Sequence, residues 1–191
     1  KKDNQTALSY LERSKVAFLK KEFNYIKKKL VKKSSKISDV SKHKAYPKSI
    51  IIPKEYTVVK DSSDFFWAIY NPLNIEQIKH VFVFNLDEKN LVNIDPVKIS
   101  NSRLISDKIN NVLKLIKGSQ KDSYVIIESE FPIECSNNTC RGLWRLENGF
   151  MGGSFLYKIY HSSYKTTISL GLIFSPNKNK RMEMKKFEVG L

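Results

Sequence analysis

From Tyr124 onward the chain offers four extended apolar runs, Tyr124–Phe131, Arg141–Leu146, Phe155–His161 and Thr166–Phe174, joined by connections too short to hold a crossover helix. Parallel neighbours need a dozen or more residues to return to the same end of a sheet, so these runs must lie antiparallel. The connections carry turn chemistry: Ser136-Asn137-Asn138-Thr139, Glu147-Asn148-Gly149 and Ser162–Lys165. In the last run Ile168, Leu170, Leu172 and Phe174 alternate with Thr167, Ser169, Gly171 and Ile173, the two-residue period of a strand. This half of the molecule is a meander.

Earlier strand runs are Ser49–Ile52, stopped by Pro53, then Tyr56–Val59, Phe65–Tyr70 and His80–Leu86. With Val81, Phe82, Val83 and Phe84 in succession, the last reads as a buried central strand. Ser100–Lys117 switches to helical period, with Leu104, Ile105, Ile109, Val112, Leu113 and Ile116 on one side and Gly118 placed as a stop. A closing helix over Asn179–Val189 would lay Met182, Met184 or the Lys185 stem, and Phe187, on the sheet.

Before all of these, Thr6–Lys33 contains neither Pro nor Gly, and Val16, Leu19, Phe23, Ile26 and Leu30 recur at alternating spacings of three and four. That is one long helix with an apolar seam. Ser34–Lys48, with Ser, Lys, one His, one Pro and scattered apolar residues, reads as a connecting segment. The expected fold is α+β: an antiparallel sheet of about six or seven strands layered with helices and preceded by a long basic N-terminal helix. Residues 1–48 would be the basic amphipathic helix and linker, and 49–191 the sandwich domain. A chain of 191 residues buries roughly 70% of its unfolded surface, enough for a real core.

The net charge of +15 would ordinarily point to an anionic partner, but it is unevenly placed: residues 1–48 hold 15 Lys and Arg against 4 Asp and Glu. Of the 34 basic residues 29 are Lys, and Asn and Ile are also abundant, which is the composition that AT-rich codons impose on any protein. Sequence-specific nucleic-acid readers rely on Arg for bidentate contacts, so nucleic acid is not the expected partner. The Lys-rich helix could still lie on anionic lipid or nucleic acid, and that stands as the alternative reading.

Four segments resemble the domain of unknown function 4837 family, found in Bacteroidota. They are Ile51-Ile52-Pro53-Lys54-Glu55-Tyr56, Asp64-Phe65-Phe66-Trp67, Arg141-Gly142-Leu143-Trp144 through Gly149-Phe150-Met151-Gly152-Gly153-Ser154-Phe155, and Phe174-Ser175-Pro176 through Lys180-Arg181 to Met184. The resemblance covers most of positions 12–190 and implies the C-terminal half of an envelope lipoprotein, on the periplasmic side, held by a lipid anchor absent from this chain. It implies no reaction. The strand order is also similar to that of Mog1/PsbP-like α/β/α sandwiches, a likeness of fold that carries no function by itself.

Cys135 and Cys140 flank a four-residue loop and would face one another in a tight hairpin, within disulfide reach. The oxidising periplasm that the resemblance implies is where such a bridge persists. His43, His80 and His161 lie far apart and none stands at ligand spacing from the Cys pair, so neither metal nor cofactor is expected. Asp61–Asp64 and Asp87-Glu88 read as acidic turns.

Trp144 reads first as a core anchor, with Gly149, Gly152 and Gly153 supplying positive φ or close backbone approach in the turn. The functional alternative is that Arg141, Trp144, Arg145, Phe150 and Met151 line a groove at one sheet end and receive a partner. No Ser sits in a G-x-S-x-G elbow. The expectation is a non-catalytic envelope module that binds a protein or cell-wall component, with an unrecognised hydrolase as a further alternative.

Overall fold

The computed structural model describes residues 2–43, 46–86, 103–136, 138–162 and 165–191. In chain order the elements are α1 (Lys2–Lys32), β1 (Ser34–Lys36), α2 (Ile37–Val40), β2 (Ile51–Pro53), β3 (Thr57–Asp61), β4 (Phe65–Tyr70) and β5 (Ile78–Leu86). They continue with α3 (Arg103–Leu113), β6 (Tyr124–Ile127), β7 (Glu134–Ser136), β8 (Thr139–Glu147), β9 (Gly152–His161), β10 (Thr166–Phe174) and α4 (Arg181–Gly190). An eight-stranded sheet runs in the order β3-β4-β5-β10-β9-β8-β6, with β7 paired to β8, and all its pairings are antiparallel. Two meanders, β3-β4-β5 and β8-β9-β10, meet where β10 pairs with β5 along nine residues, from Thr166 opposite Leu86 to Phe174 opposite Ile78.

Both faces of the sheet centre are covered, which is why β5 and β10 read as near-continuous apolar runs. On one side Phe82, Phe84, Ile168, Leu170 and Leu172 pack with Ile105, Ile109 and Leu113 of α3. On the other, Val81, Val83 and Ile173 meet Phe187 and Leu191 from α4 and its end, together with Ile37, Ile50 and Ile52. The closing helix seats itself through Gly171, where a Cβ would stand 2.7 Å from the Phe187 ring and 2.9 Å from Leu191 Cδ1. Any side chain there would lift α4 from the sheet.

Several expectations change in detail. The connecting segment expected over Ser34–Lys48 instead contains β1, which forms a two-stranded ribbon with β2, and the helical turn α2, whose Ile37 is wholly buried. Packing of Ile37 and Ile50 overrides the polar composition there. The run Ser49–Ile52 therefore lies outside the main sheet. The helix expected to reach Lys117 ends at Leu113, because Ile116 turns inward to accept a backbone hydrogen bond from Val125 at 3.1 Å. The first residues of that expected helix, 100–102, lie outside the described residues. Met182 is exposed, whereas Met184 and Phe187 pack on the sheet as expected.

Candidate functional site

The pleat of β8 splits the glycine-and-tryptophan block between two faces. Cys140, Trp144 and Leu146 point into the α3-side core, and the odd positions Arg141 and Arg145 point the other way. The Trp144 indole is 6% exposed, crosses Gly153 on β9 and donates Nε1–H to the Ile173 carbonyl on β10 at 3.3 Å. Gly153 is required for this: a Cβ would stand 2.0 Å from the Ile173 oxygen and 2.9 Å from the indole nitrogen. Trp144 thus clamps three strands from inside.

The guanidiniums on the opposite face are occupied. Arg141 pairs with Glu188 at 3.2 Å, and Arg145 bridges Glu128, at 3.3 Å, and Glu147. Phe150 projects fully into solvent at the turn, and Met151 is partly buried against the α3-side core. The five residues expected to share a groove are therefore divided by the sheet. The close approach expected of Gly152 and Gly153 is present, but positive φ is not: Asn148 takes the left-handed position at φ 53°, a conformation Asn tolerates, and no described Gly does. Gly149 is instead pressed against Leu146, whose Cδ2 would lie 2.5 Å from an added Cβ.

Cys135 and Cys140 sit directly opposite in the β7–β8 hairpin, Cα atoms 4.1 Å apart, and are joined by a disulfide. His80 is buried under Trp67, whose Nε1–H it accepts at Nδ1 over 3.1 Å, and burial pushes its pKa down to about 4. His161 Nδ1 contacts Thr166 Oγ1 at 3.0 Å. Near His43, the Ser41 hydroxyl donates directly to Asp61 Oδ1 at 2.6 Å and accepts the His43 backbone N–H at 3.0 Å, so it pins a loop. Among the described residues no three His, Cys, Asp or Glu side chains converge as metal ligands. Asp87 and Glu88 lie outside the described residues.

The concave feature lies elsewhere, on the α4 side, where the end of α1 packs against α4 and the β1–β2 ribbon. Ile26 of α1 is buried there, and Glu22 ties the helix to Arg181 of α4 at 2.9 Å. Between α1, β2, β5 and α4 this leaves a cavity of about 710 Å³, within the roughly 300–1,000 Å³ range of ligand sites. Its apolar walls include Ile26, Leu30, Ile51, Pro53, Val81 and Phe187.

A buried charge cluster forms its polar side. Lys79, on the α4-facing side of β5, donates Nζ to Glu183 Oε2 at 2.7 Å and lies 4.5 Å from the centre of the Tyr70 ring. Glu183 stands in the first turn of α4 and also holds Lys186 at 2.6 Å. Burial pushes its carboxyl upward, but the hydrogen bonds and charges of Lys186 and Lys79 outweigh that and hold it below the ordinary range. The turn after β2, closed by Tyr56 N–H to the Pro53 carbonyl at 3.1 Å, delivers the Tyr56 side chain to the cavity wall. Burial, then Glu183, Glu55 and Tyr70, raise its phenol well above the usual value. The Ser34 hydroxyl, also on the wall, is buried without a hydrogen-bond partner among the described residues.

None of these cavity residues stood out as a candidate in the sequence. The available signal was Lys79 itself, a lysine at the head of an apolar strand, where charge is rarely buried without a partner.

Sheet, helices and cavity together define an α+β antiparallel sandwich with a ligand-sized chamber under its N-terminal helix. The chain belongs to the family described as Domain of unknown function (DUF4837), whose sequence pattern matches residues 34–191. Comparison with the curated proteins finds no match.

Proposed function

We propose that this chain is a non-catalytic binding module of the bacterial cell envelope, and that its ligand, an envelope or cell-wall component, occupies the chamber between α1, β2 and α4. The observation that carries the reading is the chamber itself: apolar walls beside a buried, hydrogen-bonded ion pair. Such a combination of apolar surface with few polar groups is the usual character of small-molecule sites. The Cys135–Cys140 bridge supports an oxidising compartment, since disulfides are rare in reducing cytosol. The lipid anchor and periplasmic address follow from the family resemblance and belong to the same proposal.

Native mass spectrometry of protein purified from its own envelope tests it. The wild-type chain is expected to carry an added mass, and Met182→Trp, which fills the chamber mouth, is expected to lose it. Equal loading of both proteins would overturn the reading.

A second reading has its own observation. Leu8, Leu11, Val16 and Phe18 on α1 are at least 60% exposed and are interspersed with Lys15, Lys20 and Lys21. That is the pattern of a helix lying on an anionic surface. It predicts cosedimentation with anionic liposomes that collapses as salt rises, and no binding at low salt would end it.

A further inference from the structure

We infer that the chamber receives an anionic amphiphile: a single alkyl chain ending in a carboxylate or a phosphate. This rests on the chamber being a binding site, and it adds the chemical class of the occupant.

The walls set one half of the ligand. Ile26, Leu30, Ile51, Val81 and Phe187 present carbon without donors or acceptors, and an alkyl chain fills such a space without leaving a polar group unpaired. The rim sets the other half. Lys29, Lys32 and Lys33 all line the chamber and form no ion pair among the described residues. They surround the end of α1, whose carbonyls carry a negative partial charge of about half a unit. Three ammonium groups outweigh that half-charge and the single exposed carboxylate of Glu55.

Glu183 does not repel an anion, because Lys79 and Lys186 both bind its carboxylate, at 2.7 and 2.6 Å. A cationic amphiphile would meet three like charges, and a neutral alcohol would leave them unused.

Calorimetric titration of the 191-residue chain, below micellar concentrations, is the test. The probes are linear carboxylates of increasing chain length, alkyl phosphates of matched length, dodecanol and dodecyltrimethylammonium. Carboxylate and phosphate amphiphiles are expected to bind, each added methylene tightening Kd about fourfold until the chamber is full. Dodecanol should bind at least tenfold more weakly and the ammonium compound not at all. The ratio between the carboxylate and phosphate series identifies the head group.

Lys32→Glu combined with Lys33→Glu should weaken the anionic probes at least tenfold with an unchanged thermal melt, and Met182→Trp should abolish binding. Equal affinity for dodecanol and dodecanoate, or no binding by any chain, overturns the ligand class. In the latter case an added mass that Met182→Trp removes would still uphold the chamber as a site.

Discussion

At the scale of single residues, the two tryptophans do structural work through their N–H groups. Trp144 reaches across Gly153 to a carbonyl of β10, and Trp67 donates to His80 while stacking on Phe82 with ring centres 5.2 Å apart. The burial of His80 makes stability depend on pH. In the native state His80 resists protonation down to about pH 4, whereas in the unfolded chain it takes up a proton below about 6.5. Between those values the unfolded state binds more protons, so the His80 contribution is complete above pH 6.5 and is lost as pH falls toward 4. Urea unfolding at pH 7.0 and 4.5 should therefore show the wild type losing about 2 kcal/mol more than His80→Gln. Carboxylate effects common to both proteins cancel in that difference. Equal losses would show that His80 is as easily protonated in the fold as outside it.

At the scale of elements, the contacts that hold α4 to the sheet include two of unlike kind: Phe187 in the socket above Gly171, and the buried Lys79–Glu183 pair. Removing one partner of a buried pair leaves a desolvated charge, which costs about 3–5 kcal/mol, more than an exposed bridge contributes. Lys186 remains beside Glu183, so Lys79→Met should fall at the lower end, about 3 kcal/mol, read from chemical denaturation. Lys79→Met with Glu183→Leu should recover most of the loss, since apolar replacement of both partners restores a satisfied interior. A single variant as stable as wild type would mean that the pair is solvated. The positions of β4, β5, β8, β9 and β10 were legible in sequence because runs of β-branched and aromatic residues bounded by short turns leave few alternatives. Of the β1–β2 ribbon only the run Ser49–Ile52 was read as a strand; β1 and its pairing were not, since three-residue strands carry too few side chains for any period to show.

At the scale of the whole molecule, α1 spans on the order of 46 Å, yet only its last turns touch the domain. Ile26 is 4% exposed while Val16 is 65% exposed, although both belong to one apolar helical seam. Deleting residues 1–19 should change unfolding free energy by no more than about 0.5 kcal/mol, as for other surface changes. Deleting residues 1–33 should lower it by about 2 kcal/mol or more, because it removes the buried Ile26 and the Leu30 contact with Gly190 of α4; the two melts, compared side by side, decide. The α+β class, the antiparallel meander, the basic helix and the hairpin Cys pair were determined by sequence alone, because each depends on spacing along the chain. The chamber, the Lys79–Glu183 pair and the division of Trp144 from Arg141 and Arg145 were decided only in the tertiary structure. They join residues as far apart as Ile26, Lys79 and Glu183, and alternation along a strand states that neighbours face apart without saying which face meets which helix.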